Sequence, residues 1–297
     1  MKRFSLAMTL ALMLSAAMWA QDETTNAASY SFDEVNYPGD TFTQLLGINN
    51  ASVIAGYHNV NKNSGFTLVL PHSFTTENWP SNEMQTQVTG INNQGTTVGF
   101  YISSGNGRTY GFYRQPSGFA RVAYPGSIFN QLLGQNDHNQ AAGYYSMSIA
   151  NTTPDTPYIY DELGGVFEVL TIPGAVGGAQ ATGINNSQQI CGFYIDKNGV
   201  NHGFLLDFGQ LKTLDFPDST FTQALGLNNM NEVVGFYTDI NGKNHGFVYN
   251  TVTKKWQSVD DPNGVGTTVV NGTNDKHQLV GFWGTSPNNT GFVATPQ

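Results

Sequence analysis

Gly183-Ile184-Asn185-Asn186-Ser187-Gln188-Gln189-Ile190-Cys191-Gly192-Phe193-Tyr194, continued by Ile195-Asp196-Lys197-Asn198-Gly199-Val200-Asn201-His202-Gly203-Phe204, is one copy of a unit that recurs along the chain. It returns almost unchanged at Gly226–Phe247, with Leu227 for Ile184. The tetrapeptide at its head also begins at Gly47 and Gly90, with variants at Gly134 (Gly-Gln-Asn-Asp) and Gly272 (Gly-Thr-Asn-Asp). The six anchors are 43, 44, 49, 43 and 46 residues apart. A fixed period of this size is the mark of a repeat architecture and decides the fold.

Each copy has the same grammar. A short β-type run leads into the anchor glycine, as in Phe42–Leu46 and Phe221–Leu225. An Asn-rich turn follows, suited to left-handed backbone and to side chains that bond their own main chain. The second run carries Gly before aromatics, as in Val98-Gly99-Phe100-Tyr101 and Val280-Gly281-Phe282-Trp283. The third opens with Gly-Phe in five copies (Gly65, Gly111, Gly203, Gly246, Gly291), and one copy departs with Tyr158-Ile159-Tyr160. A fourth run stops at a proline, as in Phe119–Tyr124 before Pro125.

The last copy ends at Gln297 without its fourth run, whereas Tyr30–Tyr37 before Pro38 is a spare fourth run at the other end. Four strands per unit suggest a propeller blade. A solenoid has no use for an offset strand and needs polar caps. A ring pairs that strand into its last blade and removes the open edge. The expectation is an all-β, six-bladed β-propeller over residues 30–297, four strands per blade, with the N-terminal strand closing the last one. In the second strand, Val53-Ile54-Ala55 and Glu232-Val233-Val234 are largely apolar on both faces, as stacked blades require. The glycine that follows marks a close approach or a bulge.

The pattern Gly-Ile-Asn-Asn…Gly-Phe-Tyr-x-Asp-x-x-Gly-x-x-His-Gly-Phe resembles the extracellular HAF repeats of secreted bacterial proteins, named after a His-Ala-Phe tripeptide. Here the tripeptide stands as His202-Gly203-Phe204 and His245-Gly246-Phe247, and other copies put Ser64, Tyr110, Pro157 and Thr290 at the His. The resemblance covers nearly the whole chain after its leader. It implies a secreted protein and brings no shared reaction.

The leader agrees. Met1-Lys2-Arg3 is basic, Phe4–Leu14 is nearly all apolar, and Ser15-Ala16-Ala17 and Ala20 offer small residues for cleavage. This is the layout of a secretory signal peptide over residues 1–20, with 21–29 as a linker. Its apolar core falls short of the ~20 residues of a membrane span, so no membrane insertion is expected after cleavage. Cys191 is the one cysteine of the chain, which leaves no internal disulfide. It takes the slot of Ala55, Val98, Ala142, Val234 and Val280 and reads as a small core residue.

Of 297 residues only 11% are charged, while 12% are aromatic and 34 are Gly. Average domains carry about 25% charged residues, and helix surfaces depend on them. The net charge of −9 repels a phosphate backbone, so nucleic acid is not an expected partner.

Chemistry is harder to find. No Gly-x-Ser-x-Gly elbow occurs, no Gly-rich loop enters a helix, and no cofactor or metal motif is present. His202 and His245 occupy equivalent places in neighbouring copies, too few to complete a zinc set, and read as repeat residues that bond a local backbone group. Asp196-Lys197-Asn198-Gly199 and Asp239-Ile240-Asn241-Gly242 place Gly too early for a calcium loop and lack its Glu; Asn-Gly between strands is a hairpin signal. No catalytic residue is assigned.

What remains is a face of strand 2–3 loops and strand 4–1 linkers rich in Asn, Ser, Thr, Gly and Asp. Such groups beside aromatics suit sugars. Candidate contacts are Asn151 and Asp155 in the longest loop, with Asp196, Asn198, Asp239 and Asn241. The expected function is a monomeric binding module for an extracellular glycan or protein. The alternative is a polysaccharide hydrolase or lyase at the channel mouth, which needs convergence of residues such as Asp137, His138, Asp218, Asp260, Asp261 or Asp275.

Overall fold

A computed structural model describes residues 29–148 and 153–297. Asn151, the leader and residues 21–28 of the linker lie outside the described residues. The ordered elements are strands in six four-stranded antiparallel sheets.

β1 (Tyr30–Val35) comes first in the chain. Blade 1 is β2 (Thr43–Ile48), β3 (Val53–Asn59), β4 (Asn63–Val69) and β5 (Ser73–Thr76). Blade 2 is β6 (Gln85–Ile91), β7 (Thr97–Ile102), β8 (Thr109–Gln115) and β9 (Gly118–Val122). Blade 3 is β10 (Phe129–Gln135), β11 (Gln140–Ser146), β12 (Thr156–Asp161) and β13 (Val166–Val169). Blade 4 is β14 (Ala179–Ile184), β15 (Ile190–Ile195), β16 (Asn201–Asp207) and β17 (Gln210–Leu214). Blade 5 is β18 (Phe221–Leu227), β19 (Glu232–Thr238), β20 (Asn244–Asn250) and β21 (Lys255–Val259). Blade 6 is β22 (Val269–Thr273), β23 (Leu279–Thr285) and β24 (Asn288–Pro296), completed by β1.

β1 runs antiparallel to β24, from Tyr30 opposite Pro296 to Val35 opposite Gly291. The ring therefore closes as a six-bladed propeller by the expected offset strand. Strand 1–2 and 3–4 turns share one face, the turn face. Strand 2–3 loops and 4–1 linkers share the other, the loop face.

The innermost strands run further than their sequence suggests. They do not stop at the anchor glycine but pass through it after a β-bulge, where the register jumps from Leu45 to Gly47 and likewise in every blade. The bulged residue is the one before the glycine. The anchor glycines then touch around the axis. A Cβ on Gly47 would lie 3.1 Å from Gly90 Cα, and one on Gly134 would lie 2.7 Å from Thr182 O. The second-strand glycine is the close-approach site. A Cβ on Gly99 would strike the Gln87 carbonyl and the Phe112 ring.

The copies are not six equals but three pairs. Nine positions separate Pro38 from Gly47, Pro125 from Gly134 and Pro217 from Gly226; ten separate Pro80 from Gly90, Pro173 from Gly183 and Pro262 from Gly272. The bulged residue alternates in step. Odd blades carry Leu46, Leu133 and Leu225. Even blades carry Thr89, Thr182 and Asn271, whose side chains donate to Leu132 O (2.8 Å), Ala224 O (2.9 Å) and Leu45 O (2.9 Å) of the next blade.

The core lies between blades. The linkers into blades 1, 2, 3 and 5 lay the aromatic residue before the proline on the second strand of that blade. Tyr37 stacks on His58 at 3.6 Å, Tyr124 on Tyr145 at 3.8 Å and Phe216 on Tyr237 at 3.6 Å between centroids. Blade 3 lacks the Gly-Phe opening, and its register sets Thr156, not Pro157, opposite Tyr145. Thr156 thus takes the position of His202, because Pro157 replaces the glycine. Cys191 is fully buried, as its slot implies.

Candidate functional site

The Asn pairs after the anchor glycines build the turn-face mouth of the axial channel. The first Asn of each pair caps its own turn: Asn49 Oδ1 accepts from Ala51 N and Val53 N, both at 3.0 Å. This fixes the amide and turns its Nδ2 toward the next blade. Asn49 donates to Asn92 O (3.0 Å), Asn92 to Asn136 O (3.2 Å) and Asn136 to Asn185 O (3.1 Å). Asn185 donates to Asn228 O (3.0 Å), Asn228 to Asn274 O (3.0 Å) and Asn274 back to Asn49 O (2.9 Å). Six buried amides thus form a closed circuit.

The second residue of each pair forms a rim above it. The backbone N–H of Asn50 donates to Asn93 Oδ1 (2.8 Å), that of Asn93 to Asp137 Oδ1 (2.8 Å), and that of Asp137 to Asn186 Oδ1 (2.9 Å). Asn186 continues to Asn229 (2.8 Å), Asn229 to Asp275 (2.8 Å) and Asp275 to Asn50 (2.9 Å). The two carboxylates stand three blades apart, and each gathers the amides beside it. Asp137 Oδ2 accepts from Asn93 (2.9 Å) and Asn186 (2.8 Å); Asp275 Oδ2 accepts from Asn50 (2.8 Å) and Asn229 (3.0 Å).

Partial burial pushes the Asp137 carboxyl up, but hydrogen bonds from Asn186 and Asn93 outweigh it and hold it below the usual carboxylate range. Asp275 behaves the same way, with the Asp137 charge opposing. Inside the rim lies a cavity of about 200 Å³, floored by Leu46, Leu133, Leu225, Thr89, Thr182 and Asn271. It combines apolar surface with amide and hydroxyl groups. Its only charges are two carboxylates already engaged as acceptors.

The residues singled out in the sequence are spread over the other face. Asp155 accepts from Gln180 Nε2 at 2.8 Å and pairs its backbone with Gly178. Burial raises its carboxyl. Asp196 Oδ1 accepts from Asn198 N (2.8 Å) and Val200 N (2.9 Å), with Gly199 at φ +82°. Asp239 Oδ1 accepts from Asn241 N and Lys243 N, both at 2.8 Å. Both segments are hairpin turns whose carboxylates hold the turn itself.

His202 and His245 act locally, but their partners are carboxylates and not the backbone groups expected. His202 Nδ1 lies 3.0 Å from Asp215 and its Nε2 3.8 Å from Asp196. His245 repeats this with Asp260 (2.8 Å) and Asp239 (3.8 Å). Among the described residues no group of three His, Cys, Asp or Glu side chains is placed to hold a metal ion.

Of the acids a channel enzyme would need, Asp137 and Asp275 meet at the axial mouth, and the others do not join them. Asp137 and Asp275 belong to the turn-face rim, with His138 exposed beside them. Asp218, Asp260 and Asp261 stand at the linkers on the loop face; Asp260 is bound to His245 and Asp261 is 1% exposed. The Asx rings escaped the sequence reading, which took these residues as turn formers. Their signal was the recurrence of the pair itself.

No protein-family model matches this chain, and no curated protein matches it. Solved structures do. The SapL1 lectin in complex with alpha methyl fucoside has a TM-score of 0.54 at 11% identity, covering 82% of this chain and 88% of that one. A catalytically inactive virginiamycin B lyase from Staphylococcus aureus with quinupristin gives 0.52 at 11%, covering 89% and 99%. TolB from Acinetobacter baumannii gives 0.55 at 14%, covering 73% and 54%. At such identities the likeness shows the fold alone. It is a propeller fold.

Proposed function

We propose that this protein is a secreted, monomeric, non-catalytic binding module whose ligand is an extracellular glycan. The observation that carries this reading is the commitment of the acids and histidines that stand in the turns and at the channel mouth. The rim carboxylates, the turn aspartates and the two repeat histidines all serve hydrogen bonds within or between blades, leaving amides, hydroxyls and aromatic faces toward solvent. Neutral polar groups beside apolar surface suit sugars, which offer hydroxyls and C–H faces. The lectin among the fold neighbours, solved with a fucoside, is consistent with this. The leader and the likeness to HAF repeats support export.

The test is a glycan-array screen of residues 21–297 with and without calcium. Selective binding that is indifferent to calcium is the expected result. Silence across the array, with a surface protein recovered in pull-downs instead, would replace glycan by protein. A calcium requirement would assign the Asp196 and Asp239 turns a role the hairpin reading denies.

A further inference from the structure

Departures from the repeat show where one blade differs from its copies, and blade 2 departs most in charge. Apart from Arg3 in the leader, the arginines of the chain are Arg108, Arg114 and Arg121. All three belong to β8 and β9 or the residue before them. Strand alternation sets Arg108, Tyr110, Phe112 and Arg114 on one face, and Phe112 opposes Arg121 across the ladder.

Arg114 is committed inward. Its Nη1 lies 3.3 Å from Glu77, a carboxylate buried between blades 1 and 2 that also accepts from Thr97. The other two do not reach inward, although Arg121 also bonds the Tyr101 hydroxyl. Arg108 and Arg121 are exposed, and neither pairs with a carboxylate among the described residues. The Arg121 guanidinium lies over the Tyr110 ring, 5.1 Å from its centroid. Tyr110 is held by Asn106, whose Nδ2 donates to its hydroxyl at 3.0 Å. Tyr110 packs on Tyr101 (5.5 Å), which stacks on the half-exposed Trp79 (4.3 Å).

The same slots elsewhere hold nothing comparable. Opposite Tyr101 and its equivalents, other blades put Ser64, Thr156, His202, His245 and Thr290. The Arg121 slot holds Thr76, Val169, Thr213, Ser258 and Glu34. Blades 4 and 5 also carry Asp215 and Asp260 against their histidines, where blade 2 has Ala123. One acid does border the patch. Glu83 accepts from Ser81 Oγ and Ser104 N, which hold it below the usual carboxylate range, while Lys62 reaches the Glu83 carbonyl at 2.8 Å.

We propose that this shoulder of blade 2 binds a sugar bearing an anionic group, a carboxylate or a sulfate, through Arg108 and Arg121, with the sugar ring against Tyr110 and Trp79. The proposal rests on the glycan reading and names the ligand class. A guanidinium stacked on an aromatic ring is pre-oriented, and its planar fork matches carboxylate and sulfate oxygens. On a chain of net charge −9 such a patch is a local exception. Two open arginines are too few for a phosphate polymer, which needs many cationic contacts.

The test is calorimetric titration of residues 21–297 with oligogalacturonate, a heparin-derived oligosaccharide, an uncharged oligosaccharide of equal length and a single-stranded oligonucleotide. One of the two anionic sugars should bind, more weakly by about tenfold when salt rises from 50 to 300 mM. Arg108→Ala and Arg121→Ala should each weaken it at least tenfold with an unchanged melting temperature, and Arg121→Lys should not restore it. Lys276→Ala, on the turn face, should bind like the parent. Uncharged sugar binding alone would overturn the blade 2 site and keep the glycan reading. Binding of no sugar would overturn both. Anionic binding indifferent to Arg121→Ala, or matched by the oligonucleotide, would overturn the site.

Discussion

At the scale of the residue, slot and chemistry usually agree, and the exceptions are polar residues in apolar slots. Glu77 stands where other blades bury Val35, Val122, Leu170, Leu214 and Val259. Burial raises its carboxyl, against hydrogen bonding from Thr97 and the charge of Arg114. Glu162 is a different case, a carboxylate buried just past β12 where the equivalent Phe208 is exposed. It is 7% exposed, its carboxylate oxygens lack a well-formed hydrogen bond, and the Gln115 side chain nearby only partly offsets the burial. Burial, helped by the Asp161 charge, pushes its carboxyl up to about 7. A carboxyl raised above its unfolded value binds its proton more tightly in the native state. Stability therefore falls as pH rises from the unfolded value of about 4.3 through 7, by up to about 1.4 kcal/mol per pH unit. Glu162→Gln should flatten that slope and melt higher than the parent at pH 8. Parallel melting profiles from pH 4 to 8 would refute it. Cys191 shows how far a slot can be read. Five small apolar equivalents foretold a core thiol, and burial pushes it up to about 12. Glu77 and Glu162 were not legible as buried, because a carboxylate in sequence carries no sign of what covers it.

At the scale of the element, the order and type of strands were legible because apolar and aromatic positions repeat with turn signals between them. The end of the innermost strand was not, because a bulge adds a residue without changing composition. Nor was the Asx circuit. Each hydrogen bond reaches a residue 43 to 49 positions away within the chain, or 225 where the ring closes. Local reading sees the turn and misses that partner. The anchor glycine connects both features. Gly134→Ala would set a methyl 2.7 Å from Thr182 O and against Gly183. Backbone cannot yield as a side chain tip can, so the variant should lose about 1–3 kcal/mol by denaturant unfolding. Gly105→Ala, in an open loop with only Ser103 Oγ at 3.7 Å, should lose next to nothing. Equal losses would mean that the glycine ring is not close-packed.

At the scale of the whole molecule, the chain is three blade pairs bent into one ring. The described candidate contacts lie on the loop face of blades 3, 4 and 5 and not at a centre. The rim cavity belongs to all six blades, and the arginine shoulder to one. Closure was legible from a single mismatch, the spare strand at one end and the missing strand at the other. The pairing of blades was not, since it shows only when alternate copies are compared for linker length and bulge residue. The ring as a whole depends on Tyr30–Val35, which fills the fourth place of blade 6 and covers the edge of β24. Val35 also joins a core with Leu45, Ile54 and Phe66 of blade 1, so β1 serves two blades at once. The most direct measurement is the thermal unfolding of residues 21–297 beside a chain that starts at Asp40. A closed propeller requires the shortened chain to lose its cooperative transition or melt far lower. An unchanged transition would contradict the ring.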